Sequence, residues 1–524
     1  MPARRTTPSF VREPYTWLSA LVVLAFVPVL VRLPALGDLF VHAGTIEQLR
    51  LHLLAPRDPM TGTDGLGNPY FSPWAVGWAL VARGTGWDVF AVLRLSGVVN
   101  LLLLLVGFRA FVRSVSSNPW APVTSLLAAC FLWGTNLLYW SGFISLPTLV
   151  AGIAYPSTFA VGLMLLLLAG LTRVVLDPPS RHLFPLVLGI AVGAAVAVLV
   201  HQFTALAFGI YAVALVLRHH RRIARRVWLA LGVGAALGLA VLAAWPLFSV
   251  FSAAGGLDGF DAVHKVLYTN LAGRYLLLLV AVPVLVHRLR GDRADPLAWT
   301  VGVCLAVFVM GGLTGHEALA RVFPPVALLS QVAVGVAVAD WLRPRRSVAE
   351  TQTRPQRVFA AVASLAIVAG CLFQSGVVNL LSPGSYPATL DRLFHSRLSK
   401  GDYEWLAEHV PAGSTVMTAD WDTRAMAPAY GIFTVQPAWP DPFLGRAEDR
   451  RIADTKTFFR SATSSARRAE LLAKYHTEWV VVRGGAAEPF IRSGSYALVA
   501  ERPAGGPRDE GAGGTAQLLR LVHP

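Results

Sequence analysis

Long runs of apolar residues alternate with short polar intervals from Trp17 to Leu381. Eleven of them approach the length of about 20 residues that carries an α-helix across a bilayer. They are Trp17–Val31, Trp87–Leu105, Trp120–Leu138, Pro156–Leu171, Leu183–Val200, Phe203–Leu217, Val227–Val250, Leu271–Val286, Pro296–Leu313, Val322–Trp341 and Phe359–Leu381. Local thinning of the bilayer accommodates the shorter ones. A twelfth apolar stretch, Phe71–Gly84, is too short to cross. Its Phe71, Trp74, Trp78 and Val81 recur on one helical face, so it is expected to lie along the membrane interface.

The arginines test that topology. With eleven spans and the N-terminus inside, 20 Lys and Arg fall in the inner loops and 7 in the outer loops between spans, as the positive-inside rule requires. Were Phe71–Gly84 to cross, the cluster Arg218–Arg226 (RHHRRIARR) would face outward. The N-terminal segment carries basic residues before an apolar run and no small-residue cleavage site, which reads as a retained first span.

After Ser382 the pattern changes. Asp402–Val410 reads as a short helix, Thr415–Thr418 and Glu478–Arg483 as buried strands, and Ser465–Tyr475 as a helix. Tyr496–Glu501 and Gln517–Val522 read as further strands, separated by a Gly/Pro loop at Pro503–Gly514 expected to be mobile. The expected architecture is an α-helical polytopic membrane protein of about eleven spans. Residues 1–381 form the membrane domain with a first external loop at 34–86, and residues 382–524 form a small extracytoplasmic α/β domain.

Composition narrows the class further. Of the 524 residues 55% are hydrophobic and only 14% charged, against about 25% charged in soluble domains. The net charge of +15 comes largely from arginines between spans, and runs such as RHHRRIARR and RPRR suit lipid headgroups rather than nucleic acid. Cys130, Cys304 and Cys371 all lie in apolar runs, so none can staple an exposed domain. No phosphate-binding glycine loop, GxSxG, HExxH or CxxC occurs, which leaves nucleotide-driven transport, serine hydrolysis and zinc-dependent proteolysis without support.

The residues able to do chemistry gather on the outer side. Asp38 stands just beyond the first span, at the head of an expected helix Leu39–Leu53 that carries His42, Glu47 and Arg50 at helical spacing. An Asp there also suits an N-cap. Asp58 and Asp64 sit among turn residues and read as loop formers. Arg94 is buried in a span, where a cation needs a partner or a route to the surface. His201, Gln202 and Thr204 interrupt two apolar runs, while His264 and Lys265 share a later external loop. Glu317 and Arg321 stand at i,i+4 spacing, where they would pair with each other.

Three stretches carry a family likeness. GDLFVHAGTIEQL after the first span, with PYFSPW leading into an interfacial helix, is similar to the acid-bearing first external loop of the GT-C membrane glycosyltransferases. DVFAVLRLSGVVNLLLLLVGF resembles their second span. WLAEHVPAGSTVMTADWDTRAMAPAYG with LLAKYHTEWVVVR resembles the extracytoplasmic domain of many bacterial members. The likeness extends to the bacterial protein-mannosyltransferases and aminoarabinose transferases. The resemblance implies an inverting glycosyltransferase of the bacterial cytoplasmic membrane, working on the extracytoplasmic face. A polyprenyl-phosphate sugar would be the donor, and an envelope glycan, lipid or protein the acceptor.

It further implies Asp38 as general base and His201 as a phosphate contact; by position, His42 would orient the acid or bind the acceptor, and Arg94 and Arg321 would contact the donor phosphate unless each is spent on a pair of its own. No organic cofactor is implied; a divalent metal is left open. Many members carry a second acid in the external loop after the third span, yet here that loop, Trp140–Tyr155, holds no charge. Asp258, Asp261 and Glu317 are the neighbouring acids that would substitute. Two rivals remain: a noncatalytic scaffold of the same fold, which the missing acid favours, and a lipid or solute transporter. The transporter is disfavoured because neither repeated halves nor broken midplane helices are evident.

Overall fold

The computed structural model describes residues 13–34, 37–64, 67–253, 261–341, 354–377, 403–439, 441, 444–502 and 515–522. Among them, ten helices are long and apolar enough to cross a membrane: Pro14–Arg32, Val89–Val115, Pro156–Leu176, Leu183–Val200, Gln202–His219, Arg225–Ala244, Leu271–Gly291, Pro296–Thr314, Glu317–Trp341 and Arg354–Gln374. Each matches one of the eleven expected spans. The remaining one, expected at Trp120–Leu138, is an 11-residue helix, Ala121–Phe131. Phe71–Gly84 forms a 13-residue helix, Pro73–Thr85. It is entered through a Pro at its first position and the Ser72 hydroxyl, which accepts from Ala75 N at 3.4 Å.

The chain divides into two compact units. The first takes Met1–Leu30, Gly97–Trp245 and Val250–Leu390, and the second takes Val31–Ser96, Pro246–Ser249 and Asp391–Pro524, as far as their residues are described.

In the first unit the helix Phe323–Trp341 is buried at every position from Phe323 to Ala339. A helix apolar on all sides belongs at such a centre. It packs tightly on Ala121–Phe131, where a side chain on Gly335 would overlap the backbone of Ser125 and Thr124 Oγ1 donates to Gly335 O at 2.7 Å. The helices Val89–Val115 and Pro156–Leu176 meet the same way, Gly107 against Gly162. Small residues let helix backbones approach where lipid supplies no hydrophobic drive. Pro14–Arg32 turns Leu21, Leu24 and Val31 outward, as a lipid-facing helix does.

The shortening of the Trp120–Leu138 span has a physical reason. Beyond Phe131 the chain leaves the helix, and backbone groups without helical partners must be satisfied by protein. Gln331 Nε2 donates to Leu132 O at 2.9 Å, and Gln374 Nε2 to Gly134 O at 2.9 Å. Leu277 N donates to Trp133 O, and Asn136 N to Gly273 O. Apolar composition alone cannot separate this buried irregular backbone from a helix.

The second unit holds a five-stranded mixed sheet: β1 Thr415–Thr418, β2 Phe433–Thr434, β3 Trp479–Arg483, β4 Tyr496–Glu501 and β5 Ala516–Leu521, in the order β2-β1-β3-β5-β4. β1 runs parallel to β2 and β3, and β5 antiparallel to β3 and β4. The helices Arg446–Phe459 and Ser465–Lys474 contribute Phe458, Leu471 and Leu472 to a core with Met417, Val480, Val482, Phe490 and Leu519. The loop Pro503–Gly514 lies outside the described residues, and the expected helix at Asp402–Val410 is a single turn, Glu404–Ala407.

Residues 37–64 pack into this same unit. Thr434 N donates to Met60 O at 2.8 Å, adding a loop contact at the β2 edge. Arg451 Nη2 reaches Thr63 Oγ1 at 2.9 Å. Gly62, held at φ +66, lies against the Phe433 ring where no side chain would fit. Gly44 of the helix Leu39–Leu51 sits on Pro428. That helix is buried along its whole length from Leu39 to Leu49, polar residues included.

Candidate active site

Gly37, at φ +63, makes the turn that brings Asp38 to the head of the helix Leu39–Leu51. The backbone carbonyl of Asp38 accepts from Val41 N and His42 N, but its carboxylate forms no cap. Instead Asp38 Oδ2 accepts from the Tyr70 hydroxyl at 3.0 Å and stands 3.9 Å from His42 Nε2. The Asp38 side chain keeps 39% of its surface, whereas that of His42 keeps 9%. The His42 ring meets the edges of Tyr70 and Trp74, at 5.0 and 5.8 Å between centroids. Burial pushes the His42 imidazole below its ordinary value, and the nearby Asp38 carboxylate opposes that shift. The group is therefore a reachable carboxylate backed by a neutral imidazole.

Other charged residues of 37–96 are engaged in loop knots and pairs. Asp58, 1% exposed, accepts from Met60 N, Thr61 N, Thr61 Oγ1 and Asn68 Nδ2, an Asx-type loop knot. Asp64 pairs with Arg57 at 3.0 Å on the surface. Glu47 and Arg50 form a two-pronged pair at 2.6 and 2.7 Å. Arg94 Nε donates to Val31 O at 3.0 Å, at the carbonyl end of the helix Pro14–Arg32, where a cation is favoured.

A second cluster lies within the first unit. His201 ends the helix Leu183–Val200 and starts Gln202–His219; its Nε2 meets Ser141 Oγ at 3.0 Å and Arg321 Nη1 at 3.5 Å. Arg321 Nε donates to Nε2 of His264, a residue with no exposed surface. The guanidinium also lies over the rings of Phe203 and Trp140, at 5.1 and 5.8 Å. Thr204 Oγ1 and Trp140 Nε1 are buried in the same surroundings without a hydrogen-bond partner among the described residues. The cluster thus places a partly buried guanidinium among two imidazoles, a hydroxyl and two aromatic rings.

The expected Glu317–Arg321 pair gives way to the contacts with His264 and His201. Residues Glu317–Val322 form a 3₁₀-helix, where i and i+4 diverge by about 120°, so α-helical spacing no longer applies. Asp261 Oδ1 accepts from Ala318 N at 2.7 Å and thereby holds the start of that 3₁₀-helix. Asp258 lies outside the described residues. Among the described residues no three His, Cys, Asp or Glu side chains converge as a metal site would require; these residues do not form one.

Sequence spacing linked Asp38 to His42 but not to Tyr70, 32 positions away. Nor did it link His264 to Arg321, 57 positions away. Both residues were visible in polar intervals, yet no periodicity connects them to their partners.

No family model matches the sequence, and no curated protein sequence matches it. Solved structures do. ArnT from Cupriavidus metallidurans bound to undecaprenyl phosphate is 15% identical at a TM-score of 0.52, over 98% of this chain and 99% of that one. The oligosaccharyltransferase AglB from Archaeoglobus fulgidus, in complex with an inhibitory peptide and a dolichol-phosphate, is 12% identical at 0.53, over 90% of this chain and 70% of that one. The chain has the GT-C fold. A second structure of the GT-C protein AglB, a complex with Zn and sulfate, is 13% identical at 0.52, over 89% of this chain and 67% of that one. With this fold and ten apolar helices among the described residues, the chain is a multi-pass membrane protein.

Proposed function

We propose that this GT-C protein is an inverting glycosyltransferase of the bacterial cytoplasmic membrane. It transfers a sugar from a polyprenyl-phosphate donor to a glycan, lipid or protein of the cell envelope on the extracytoplasmic face. The observation that carries the reading is the Asp38 carboxylate: it heads a buried helix, is not spent on capping it, and is held at 3.0 Å by Tyr70.

In this mechanism Asp38 takes the proton of the acceptor hydroxyl as that oxygen attacks the anomeric carbon. A new glycosidic bond forms on one face of the sugar while the bond to the donor phosphate breaks on the other, which inverts the configuration. The departing phosphate gains charge that a cation must offset; Arg321 with His201, within the first unit, is the candidate phosphate contact. His42 stays neutral behind Asp38 and so does not compete with the acceptor for the carboxylate through an ion pair. Arg94 is assigned to the carbonyl end of the first span, on the strength of its bond to Val31.

The noncatalytic scaffold is kept as a second reading because the Trp140–Tyr155 loop has no acid. Membranes carrying the parent or Asp38→Asn are supplied with radiolabelled polyprenyl-phosphate sugars. The expected result is transfer by the parent with one donor, reduced about 10²–10⁴-fold by the substitution, the usual worth of a general base. Equal transfer by both would remove Asp38 from the mechanism, and no transfer by the parent with any donor would favour the scaffold.

A further inference from the structure

The backbone of Tyr70 is fixed by a turn. Phe71 N donates to Asn68 O at 3.0 Å, which closes a β-turn with Pro69 at its second position, where a preset φ is favoured. The Asn68 side chain reinforces the turn, since its Oδ1 accepts from Tyr70 N at 2.9 Å. The other end of that amide, Nδ2, donates to Asp58 Oδ2 at 3.2 Å. An ionised carboxylate only accepts, so Asp58 fixes which way the Asn68 amide faces. Asp58 is held in turn: its Oδ1 accepts from Met60 N, Thr61 N and Thr61 Oγ1, and Met60 O accepts from Thr434 N of β2. Asp58 and Asn68 are both buried. A chain of bonds thus runs from β2 through Asp58 and Asn68 to Tyr70, whose hydroxyl donates to Asp38 Oδ2.

We infer that Asn68, oriented by Asp58, is a positioning residue that sets Tyr70 and thereby aims the Asp38 carboxylate at the acceptor hydroxyl. The inference rests on the reading of Asp38 as general base given above. A base works only within hydrogen-bond reach of the proton it takes, and reacting groups need support that holds them to within about 0.5 Å. Anchoring the Tyr70 backbone leaves two side-chain torsions to place its hydroxyl, where a free loop would leave many more. The donor inventory makes the relay directional. Three donors keep Asp58 Oδ1 an oxygen, so Asp58→Asn puts an amide nitrogen opposite Asn68 Nδ2. Asn68 then accepts there only by turning its nitrogen toward Tyr70 N–H, which loses the turn bond. Asn68→Asp sets two carboxylates against each other. Made together, the substitutions restore both bonds: the new amide at position 58 donates to the new carboxylate at position 68, which still accepts from Tyr70.

The test is carbodiimide labelling of Asp38 in the purified full-length protein in detergent, located by peptide mass spectrometry. An oxygen that accepts from a phenol attacks the reagent more slowly, so Tyr70→Phe raises labelling and sets the scale. Asp58→Asn and Asn68→Asp are each expected to reproduce most of that rise, and the double variant to return to the parent's level. Neither single substitution is expected to add to Tyr70→Phe. Transfer from the polyprenyl-phosphate sugar that the parent uses is expected to fall by up to about tenfold in each single variant, in kcat with KM level, and to recover in the double. Parent-like labelling in both single variants would overturn the positioning role. So would a double variant as altered as the singles, or a further rise on top of Tyr70→Phe, since Asp38 would then be reached by another route. Labelling needs no substrate and decides this by itself. If it follows the expected pattern while Asp38→Asn transfers sugar like the parent, the general-base reading alone fails. Should the single variants not fold, Asn68→Ala, which removes both bonds without opposing two carboxylates, takes their place.

Discussion

The Tyr70 hydroxyl donates to Asp38 Oδ2 at 3.0 Å, so the carboxylate faces residue 70 instead of folding back over its own helix. That bond decides between two uses of one side chain. A cap would consume the carboxylate on backbone N–H groups; a single phenolic donor fixes its direction and leaves an oxygen for a substrate.

Removing the phenol tests this directly. A hydrogen bond to a charged group contributes about 1.5–3 kcal/mol, and partial exposure places this one at the low end. Tyr70→Phe keeps the ring against His42 and deletes only the donor. The glycosyl-transfer rate at saturating substrate is expected to fall about tenfold with the thermal midpoint nearly unchanged. A rate equal to the parent's would show that the orientation of Asp38 needs no help from Tyr70.

His42 makes a pH prediction. Burial holds its folded value below 6.5, its ordinary value and that of the unfolded chain, while Asp38 pulls the other way. Between the two values the unfolded chain takes up a proton that the folded protein refuses. The stability tied to a neutral His42 is thus complete above about 6.5 and lost as pH falls through the folded value. Thermal midpoints in detergent should drop from pH 7.5 toward pH 5.5, and less steeply for His42→Gln. Identical slopes in parent and variant would refute the assignment. Asp38→Asn, which removes the opposing attraction, should steepen the drop.

How much of this was legible follows from where each feature's cause lies. The spans were readable because twenty apolar residues in a row have few other fates in a membrane. β1, β3 and β4 were readable because each is a short apolar run between turn signals. β2 was not, since Phe433–Thr434 is too short for a period. Nor was the helix Arg446–Phe459, which buries only Thr455 and Phe458 and so shows almost no apolar face. Asp38 was found from its position at a span exit. Tyr70 and His264 meet partners 32 and 57 residues distant, and single-sequence spacing carries no such information.

The irregular backbone after Phe131 depends on two glutamines far along the chain. Gln331 is fully buried and its Nε2 satisfies Leu132 O. Gln331→Leu would fit a similar volume and suit an apolar helix better, yet it strands that carbonyl, at a cost of about 1–3 kcal/mol. The substitution is expected to lower the thermal midpoint in detergent although it increases hydrophobicity. A raised midpoint would mean that the Leu132 carbonyl finds another donor.

The unequal cost of removing Glu47 or Arg50 separates pairing from mere surface charge. The Glu47 side chain keeps only 7% of its surface while Arg50 keeps 35%, so the pair sits at the edge of the buried helix Leu39–Leu51. Breaking a buried pair from one side strands a charge and costs about 3–5 kcal/mol, whereas an exposed pair contributes under about 1. With one partner a third exposed, Arg50→Ala should cost about 2 kcal/mol, by leaving Glu47 uncompensated. Glu47→Gln should cost less, because the stranded Arg50 can turn to water. The double variant should then lie closer to Glu47→Gln than to Arg50→Ala. Chemical unfolding of the four proteins measures this directly, and equal losses for the two single variants would show that the helix treats the pair as a surface bridge.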